Sequence, residues 1–186
     1  MEFEGLEKVH SGKFITRYNI HYRAPSGKPI TYEMISRNPD LSDLESLHHH
    51  EVNAVVMIVH DESGEKLLLC KEFRMAVGEQ VVNFPAGLID KGETIEEAAA
   101  RELREETGLE LLRIKEIWKE SYSAIGFADE LNVVVEGVAG GQFRPSDSER
   151  EEIDAAWYTK EEVRQLLKTE HFAARTQSYC ILWSRT

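Results

Sequence analysis

Only two of the 186 residues are cysteines, Cys70 and Cys180, and both sit among apolar neighbours. Two thiols cannot build a disulfide framework, so a reducing, cytoplasmic setting is the expectation. Long apolar runs are also missing. The longest, Ala54-Val55-Val56-Met57-Ile58-Val59, falls far short of the roughly 20 residues that a membrane-spanning helix needs, and no membrane partner is expected. Basic charge is scarce: 22 Lys and Arg stand against 34 Asp and Glu, a net charge of −12. Such a surface repels long polyanions, so no nucleic-acid partner is expected either. A small phosphorylated ligand is compatible with it, provided metal ions or a few arginines neutralise the phosphates locally. The opening Met1-Glu2-Phe3-Glu4-Gly5-Leu6-Glu7 is acidic and lacks the basic-then-apolar order of a secretory signal. Internal repeats and low-complexity tracts are absent.

What is present divides near residue 50. Residues 1–50 read as an antiparallel β subdomain: Lys13 to Arg23 alternates from Tyr18 onward, Ala24-Pro25-Ser26-Gly27-Lys28 is a turn, and Pro29 to Ser36 returns with Ile30, Tyr32 and Met34 on one face. Residues 51–186 read as the main domain. Strands are expected at Val55 to His60, Lys66 to Phe73, Val81 to Phe84, Glu110 to Ser121, Leu131 to Val138 and Ile153 to Tyr158. A helix is expected from Ile95 to Thr107, with Thr94 and Glu97 as a capping box and Gly108 beyond its end. A second capping box, Thr159 and Glu162, precedes a helix carrying Val163, Leu166 and Leu167, and a last helix spans Phe172 to Trp183. Strand runs broken by so few helices give an α+β class.

The helix between Ile95 and Thr107 carries the chemistry. At roughly 100° per residue, Ile95, Ala98, Ala99 and Leu103 share one side, and Glu102, Glu105 and Glu106 fall within the same arc. Thr107 falls with the polar remainder. The carboxylates therefore continue the stripe that the apolar residues bury, and are expected to point inward. Glu102 and Glu106, four residues apart, repel by a few tenths of a kcal/mol even in water. Burial adds several kcal/mol unless cations or protons compensate. Hard divalent cations answer that need, because Mg²⁺ takes oxygen ligands, keeps waters, and is held by carboxylates together with substrate phosphates.

The spacing from Gly87 to Leu109 (Gly, five residues, Glu93, seven residues, Arg101-Glu102-Leu103-x-Glu105-Glu106-x-Gly108-Leu109) resembles the Nudix box at all nine specified positions. Resemblance to the Nudix hydrolases implies an α/β/α sandwich with a mixed sheet. It also implies Mg²⁺- or Mn²⁺-dependent hydrolysis of a nucleoside diphosphate linked to another moiety, with two or more ions per site. By that resemblance Glu102, Glu105 and Glu106 are metal ligands, with Ala86 adding its carbonyl. Glu105 counts among the catalytic carboxylates, and Gly87, Glu93, Arg101 and Gly108 are the structural positions of the box. The remainder is similar to the ADP-ribose pyrophosphatase branch. Phe73-Arg74 followed by Phe84-Pro85-Ala86-Gly87 resembles its arginine and its Leu-Pro-Ala-Gly entry. The N-terminal hairpin resembles its small extra sheet, which exchanges between two subunits and offers an aromatic to the base. A homodimer is thereby implied, with Tyr32 at the aromatic position and Arg37, Arg74 and Glu130 as substrate contacts. The loop Glu149-Arg150-Glu151-Glu152 resembles the late acidic loop, where Glu149 or Glu151 is the base. Two departures bear on the substrate: Ile125 stands near where the branch has a proline, and Asn83 where it has a glutamate.

Duller readings compete. Arg74 is also suited to an ion pair with Glu72 or Glu79, Tyr32 to hairpin packing, and Glu149 to Glu152 to a solvated loop, while Asp129-Glu130 either closes the substrate pocket or caps a turn. His48-His49-His50 reads as a polar strand entry, since neighbours on an extended chain point to opposite sides. The expected reaction is hydrolysis of ADP-ribose to AMP and ribose 5-phosphate. Broader nucleotide-sugar or dinucleoside polyphosphate hydrolysis is the alternative within the class. A non-catalytic Nudix-fold sensor is the alternative outside it, disfavoured by the intact box and the lack of a basic helix-turn-helix segment.

Overall fold

The computed structural model describes residues 1–48, 51–146 and 152–185. The chain forms two compact units: Met1–Asn53 with Glu120–Asn132, and Ala54–Lys119 with Val133–Thr186.

The first unit holds a three-stranded antiparallel sheet, β1 (Glu2–Ser11), β2 (Thr16–Arg23) and β3 (Pro29–Ser36), in that order. Alternation in β2 turns Tyr18 and Ile20 inward, where Met34 and Leu41 bury against them. The Tyr18 hydroxyl donates to the Asn38 carbonyl (2.9 Å) and accepts from the Leu41 amide (3.3 Å), so its buried oxygen is satisfied. Strand β1 goes beyond the hairpin expected from the sequence. It is largely exposed, lies at the sheet edge, and shifts register between Phe3 and Gly5 and between Lys8 and His10. An interrupted, solvated strand leaves little period-2 signal. Where a polar strand entry was expected at His48, the chain makes a short helix, α1 (Leu44–His48), started by Asp43 accepting from the Ser46 amide (2.8 Å). His49 and His50 lie outside the described residues.

The second unit is built on β4 (Ala54–His60), β5 (Lys66–Arg74), β6 (Glu79–Asn83), β7 (Ala86–Leu88), α2 (Ile95–Thr107) and β8 (Glu110–Ile117). After β9 (Ser121–Tyr122) in the first unit, β10 (Leu131–Gly140) re-enters it, followed by β11 (Ile153–Thr159), α3 (Lys160–Thr169) and α4 (Ala174–Trp183). The strand order is β11-β5-β4-β10-β8, with β6 on β5, β7 on β4 and β9 on β10. An isolated parallel bridge joins Val82 of β6 to Phe172, outside the named strands. This is the expected α+β class with an α/β/α layering. The unbroken apolar run of β4 follows from burial on both faces. Val56, Leu67 and Leu69 pack with Val163 of α3 and Cys180 of α4. Val55, Met57 and Leu68, equally buried, occupy the alternate face, against which α2 lies. Several boundaries differ from expectation by a few residues. The strand after α2 stops at Ile117, and the last helix begins at Ala174 because Phe172 is held extended: Val82 donates to the His171 carbonyl (2.8 Å) and accepts from the Ala173 amide (3.0 Å). No helix of the described residues is long and apolar enough to cross a membrane.

Candidate metal and pyrophosphate site

Both ends of α2 are fixed by local chemistry. At its start the Thr94 hydroxyl accepts from the Glu97 amide (3.2 Å) and the Glu97 carboxylate accepts from the Thr94 amide (2.9 Å), the reciprocal cap that the sequence signals. At its end Gly108 turns left-handed at φ 78°, and its amide closes on the Arg104 carbonyl. A side chain there would also press on the Arg144 backbone, 2.6 Å from a Cβ.

The three box glutamates are not equally inward. Glu106 is buried and accepts from the Ala86 amide (3.2 Å), and the Glu102 side chain is largely covered. The Glu105 side chain is 47% exposed and stands at the rim. The expectation that all three point inward is corrected for Glu105, because the turn that buries Glu106 carries its predecessor toward solvent. Thr107, assigned to the polar side by projection, is fully buried instead. Its hydroxyl donates to the Leu103 carbonyl (2.6 Å) and accepts from the Leu109 amide (3.1 Å).

Strand β7 brings the loop against this face, with Ala86 opposite Val56 and Gly87 opposite Val55 on β4. Gly87 has a plain steric reason: a Cβ there would lie 1.9–2.2 Å from the Glu102 carboxylate. Arg101 ties the loop to the helix. Its Nε and Nη2 each reach Glu93 at 2.8 Å, Nη2 also reaches the Leu88 carbonyl (2.9 Å), and Nη1 reaches Glu102 (2.8 Å) and Glu105 (3.2 Å). The Arg101 hydrogen bonds hold the Glu93 carboxyl down at about 2, and the same contacts raise the guanidinium.

Among the described residues, no three His, Cys, Asp or Glu side chains stand gathered as a finished ligand set. Glu102 and Glu105 meet on Arg101 instead. The donor chemistry nevertheless fits a hard divalent cation. Glu102, Glu105, Glu106 and Glu93 offer only oxygens, and three of them, Glu93, Glu102 and Glu105, share the single guanidinium of Arg101.

Arg74 closes β5, its carbonyl accepting from the Val77 (3.0 Å) and Gly78 (2.9 Å) amides. Its Nη1 makes a close pair with the buried carboxylate of Glu72, while Glu79 pairs with His171 (2.8 Å). In the first unit Tyr32, half exposed, donates to the Gly126 carbonyl and lines an apolar cavity of about 330 Å³ with Tyr22, Tyr122, Ile125 and Phe127. Arg37 and Glu130 pair with each other (2.9 Å). Beside them, Ser36 donates to Asp129 (2.8 Å) at the edge of a polar cleft of about 380 Å³. Sequence reasoning missed Tyr22, on β2, and Phe127, in loop 120–132, which has no period from which to read a facing side. Asn83 is buried and accepts from Thr176 of α4 (2.9 Å), so that departure serves packing. Glu149 and Glu151 lie outside the described residues. The flanks of their loop are fixed, Arg144 donating to the Thr107 carbonyl (2.9 Å) and Glu152 accepting from the Phe73 amide (3.0 Å).

Comparison with known proteins agrees with this architecture. The model of the NUDIX domain matches residues 50–179. The ADP-ribose pyrophosphatase of Bacillus subtilis is 34% identical over 125 residues, 67% of this chain and 59% of that protein. The ADP-sugar pyrophosphatase of Mus musculus is 33% identical over 102 residues, 55% of this chain and 45% of that protein. The chain thus spans about half the length of these curated relatives. A crystal structure titled as an ADP compounds hydrolase superposes with a TM-score of 0.73 at 20% identity, covering 100% of this chain and 94% of that one. With the box on α2, the loop of β7 packed against it and a family match over most of its length, the chain belongs to the Nudix family.

Proposed function

We propose that the protein hydrolyses the pyrophosphate bond of a nucleoside diphosphate linked to a sugar, with ADP-ribose the preferred substrate and AMP and ribose 5-phosphate the products. The observation that carries this reading is the surplus of carboxylates around Arg101, on a helix whose neighbouring loop has no side chain at Gly87. Glu102, Glu105, Glu106 and the Ala86 carbonyl would hold Mg²⁺ or Mn²⁺, two or more ions. Bound there, the ions supply charge neutralisation of the phosphate oxygens and acidification of water.

The chain's own groups do the rest. Arg74 keeps one nitrogen on Glu72 and presents its remaining N–H donors to the bridge, binding two oxygens as a fork. Glu149 or Glu151 takes the proton of the attacking water as the new P–O bond forms and the bridging P–O bond breaks, the electron pair leaving with the departing phosphate. Tyr32 and its apolar neighbours take the base, and the Arg37–Glu130 pair contacts the substrate beside it. The working form is a homodimer, and we assign it to the cytoplasm, where the buried thiols of Cys70 and Cys180 stay reduced. The names of the two pyrophosphatase relatives support the substrate class.

The test is a panel of ADP-ribose, ADP-glucose, GDP-mannose, UDP-glucose and diadenosine polyphosphates with Mg²⁺, read by product identity. ADP-ribose is expected to rank first. A tenfold preference for a diadenosine compound overturns the substrate, and tight binding of every compound with no product overturns hydrolysis in favour of a sensor.

A further inference from the structure

Arg101 has no donor to spare. A guanidinium carries five N–H groups, and the five hydrogen bonds account for all of them: one from Nε, two from Nη1 and two from Nη2. They divide by edge. The Nε–Nη2 edge forks onto both oxygens of Glu93 and adds the Leu88 carbonyl. The two Nη1 hydrogens go one each to Glu102 and Glu105, the carboxylates that the proposed function assigns to metal.

We propose that Arg101 is a stand-in cation as well as a brace: its Nη1 edge holds Glu102 and Glu105 until a divalent ion takes them, while its Nε–Nη2 edge stays on Glu93 and Leu88 throughout. The inference rests on the metal reading of the site and adds a positioning role to it.

Three features carry it. First, Glu102 and Glu105 are three residues apart and Glu106 is one turn beyond Glu102, so without a cation this face repels itself. Arg101 supplies the compensating charge, and supplies it to two would-be ligands at once. Second, the edges differ in strength. The fork onto Glu93 is bidentate and both atoms are within 2.8 Å, whereas each Nη1 contact is single and one is 3.2 Å long. The brace therefore survives when the other edge lets go. Third, Glu102 already lies against Gly87, in the volume a Cβ would fill. The carboxylate is thus already placed, and metal binding would require only that it give up its hydrogen bond from Nη1. The fixed positive charge that orders the acids also repels the arriving ion, so Arg101 lowers metal affinity while it stabilises the metal-free fold.

The test uses the full chain without substrate, reading Mn²⁺ binding by titration and melting of the metal-free protein. In Arg101→Gln the metal-free melting temperature is expected to fall and Mn²⁺ to bind tighter, by about tenfold for the loss of one neighbouring positive charge. In Glu93→Gln, Arg101 loses its anionic fork and is expected to lean on Glu102 and Glu105, weakening Mn²⁺ binding. Opposite shifts support the proposal, and weaker or unchanged binding in both variants overturns it and leaves Arg101 a brace alone. If Arg101→Gln does not fold, side-chain ¹⁵N spectra of the wild type decide. Saturating Mg²⁺ should change the Arg101 Nη1 protons and leave the Nε proton protected, whereas five unchanged protons overturn the inference. A wild type that binds no Mn²⁺ sinks the metal reading itself, a result distinct from a failure of this inference.

Discussion

Replacing Gly87 by alanine tests the geometry of the site with one methyl group. The added Cβ would lie 1.9 Å from the Glu102 carboxyl carbon and 2.0 and 2.2 Å from its oxygens, against an ordinary contact of 3.4–4 Å. Something has to move by more than 1 Å. Because the obstructed atoms are the tip of a flexible side chain, the cheapest response is rotation of Glu102. That forfeits its 2.8 Å bond to Arg101 and costs about 1 kcal/mol, a fall of roughly 2–4 °C in melting temperature for a chain of this size. Function should suffer far more than stability, because displacing a positioned group by about 1 Å costs on the order of a hundredfold. The assay pairs ADP-ribose turnover with Mg²⁺ and thermal melting, on Gly87→Ala and on Gly87→Ala with Glu102→Asp. The shorter aspartate should relieve the clash and recover melting temperature without recovering turnover. Turnover within threefold of wild type in Gly87→Ala would refute the placement of Glu102 as a working ligand.

Glu105→Gln and Glu106→Gln should each abolish turnover while the circular dichroism spectrum stays native, and near-normal rates in both would remove these carboxylates from catalysis. The Glu93 brace should also show in acid. Arg101 depresses the Glu93 carboxyl from 4.5 in the unfolded chain to about 2 in the fold, so its contribution is fully present above pH 4.5 and drains away as pH falls toward 2. Urea melts of wild type and Glu93→Gln should differ at pH 6 and converge near pH 2, and a constant difference across that range would contradict the shift.

The parts of the fold legible in the sequence were those governed by neighbours along the chain. The capping boxes at Thr94–Glu97 and Thr159–Glu162 and the left-handed Gly108 each depend on residues within one turn, and all three appear as the spacing implies. Strand β4 could be read because burial on both faces demands an uninterrupted apolar run. The edge strand β1 and helix α1 could not, since an exposed strand with shifted register and a five-residue helix leave no periodic record.

The candidate site divides the same way. The sequence by itself determined that Glu102, Glu105 and Glu106 are concentrated within about a turn of one helix, because helical periodicity is a local property, but its projection misplaced Thr107 and turned Glu105 too far inward. The resemblance to the box also implied Glu93 and Arg101 as structural positions, and the fold pairs them. Only the tertiary structure decided how deep each acid lies, that Arg101 spends all five donors, that Gly87 leaves room for Glu102, and that Arg74 is held by Glu72. It likewise decided that 120–132 belongs to the N-terminal unit, where Ile125 and Phe127 line the cavity beside Tyr32. Each of these depends on segments brought together by packing, and distances between segments remote in sequence are set by the shape of the core, which no single stretch of residues records.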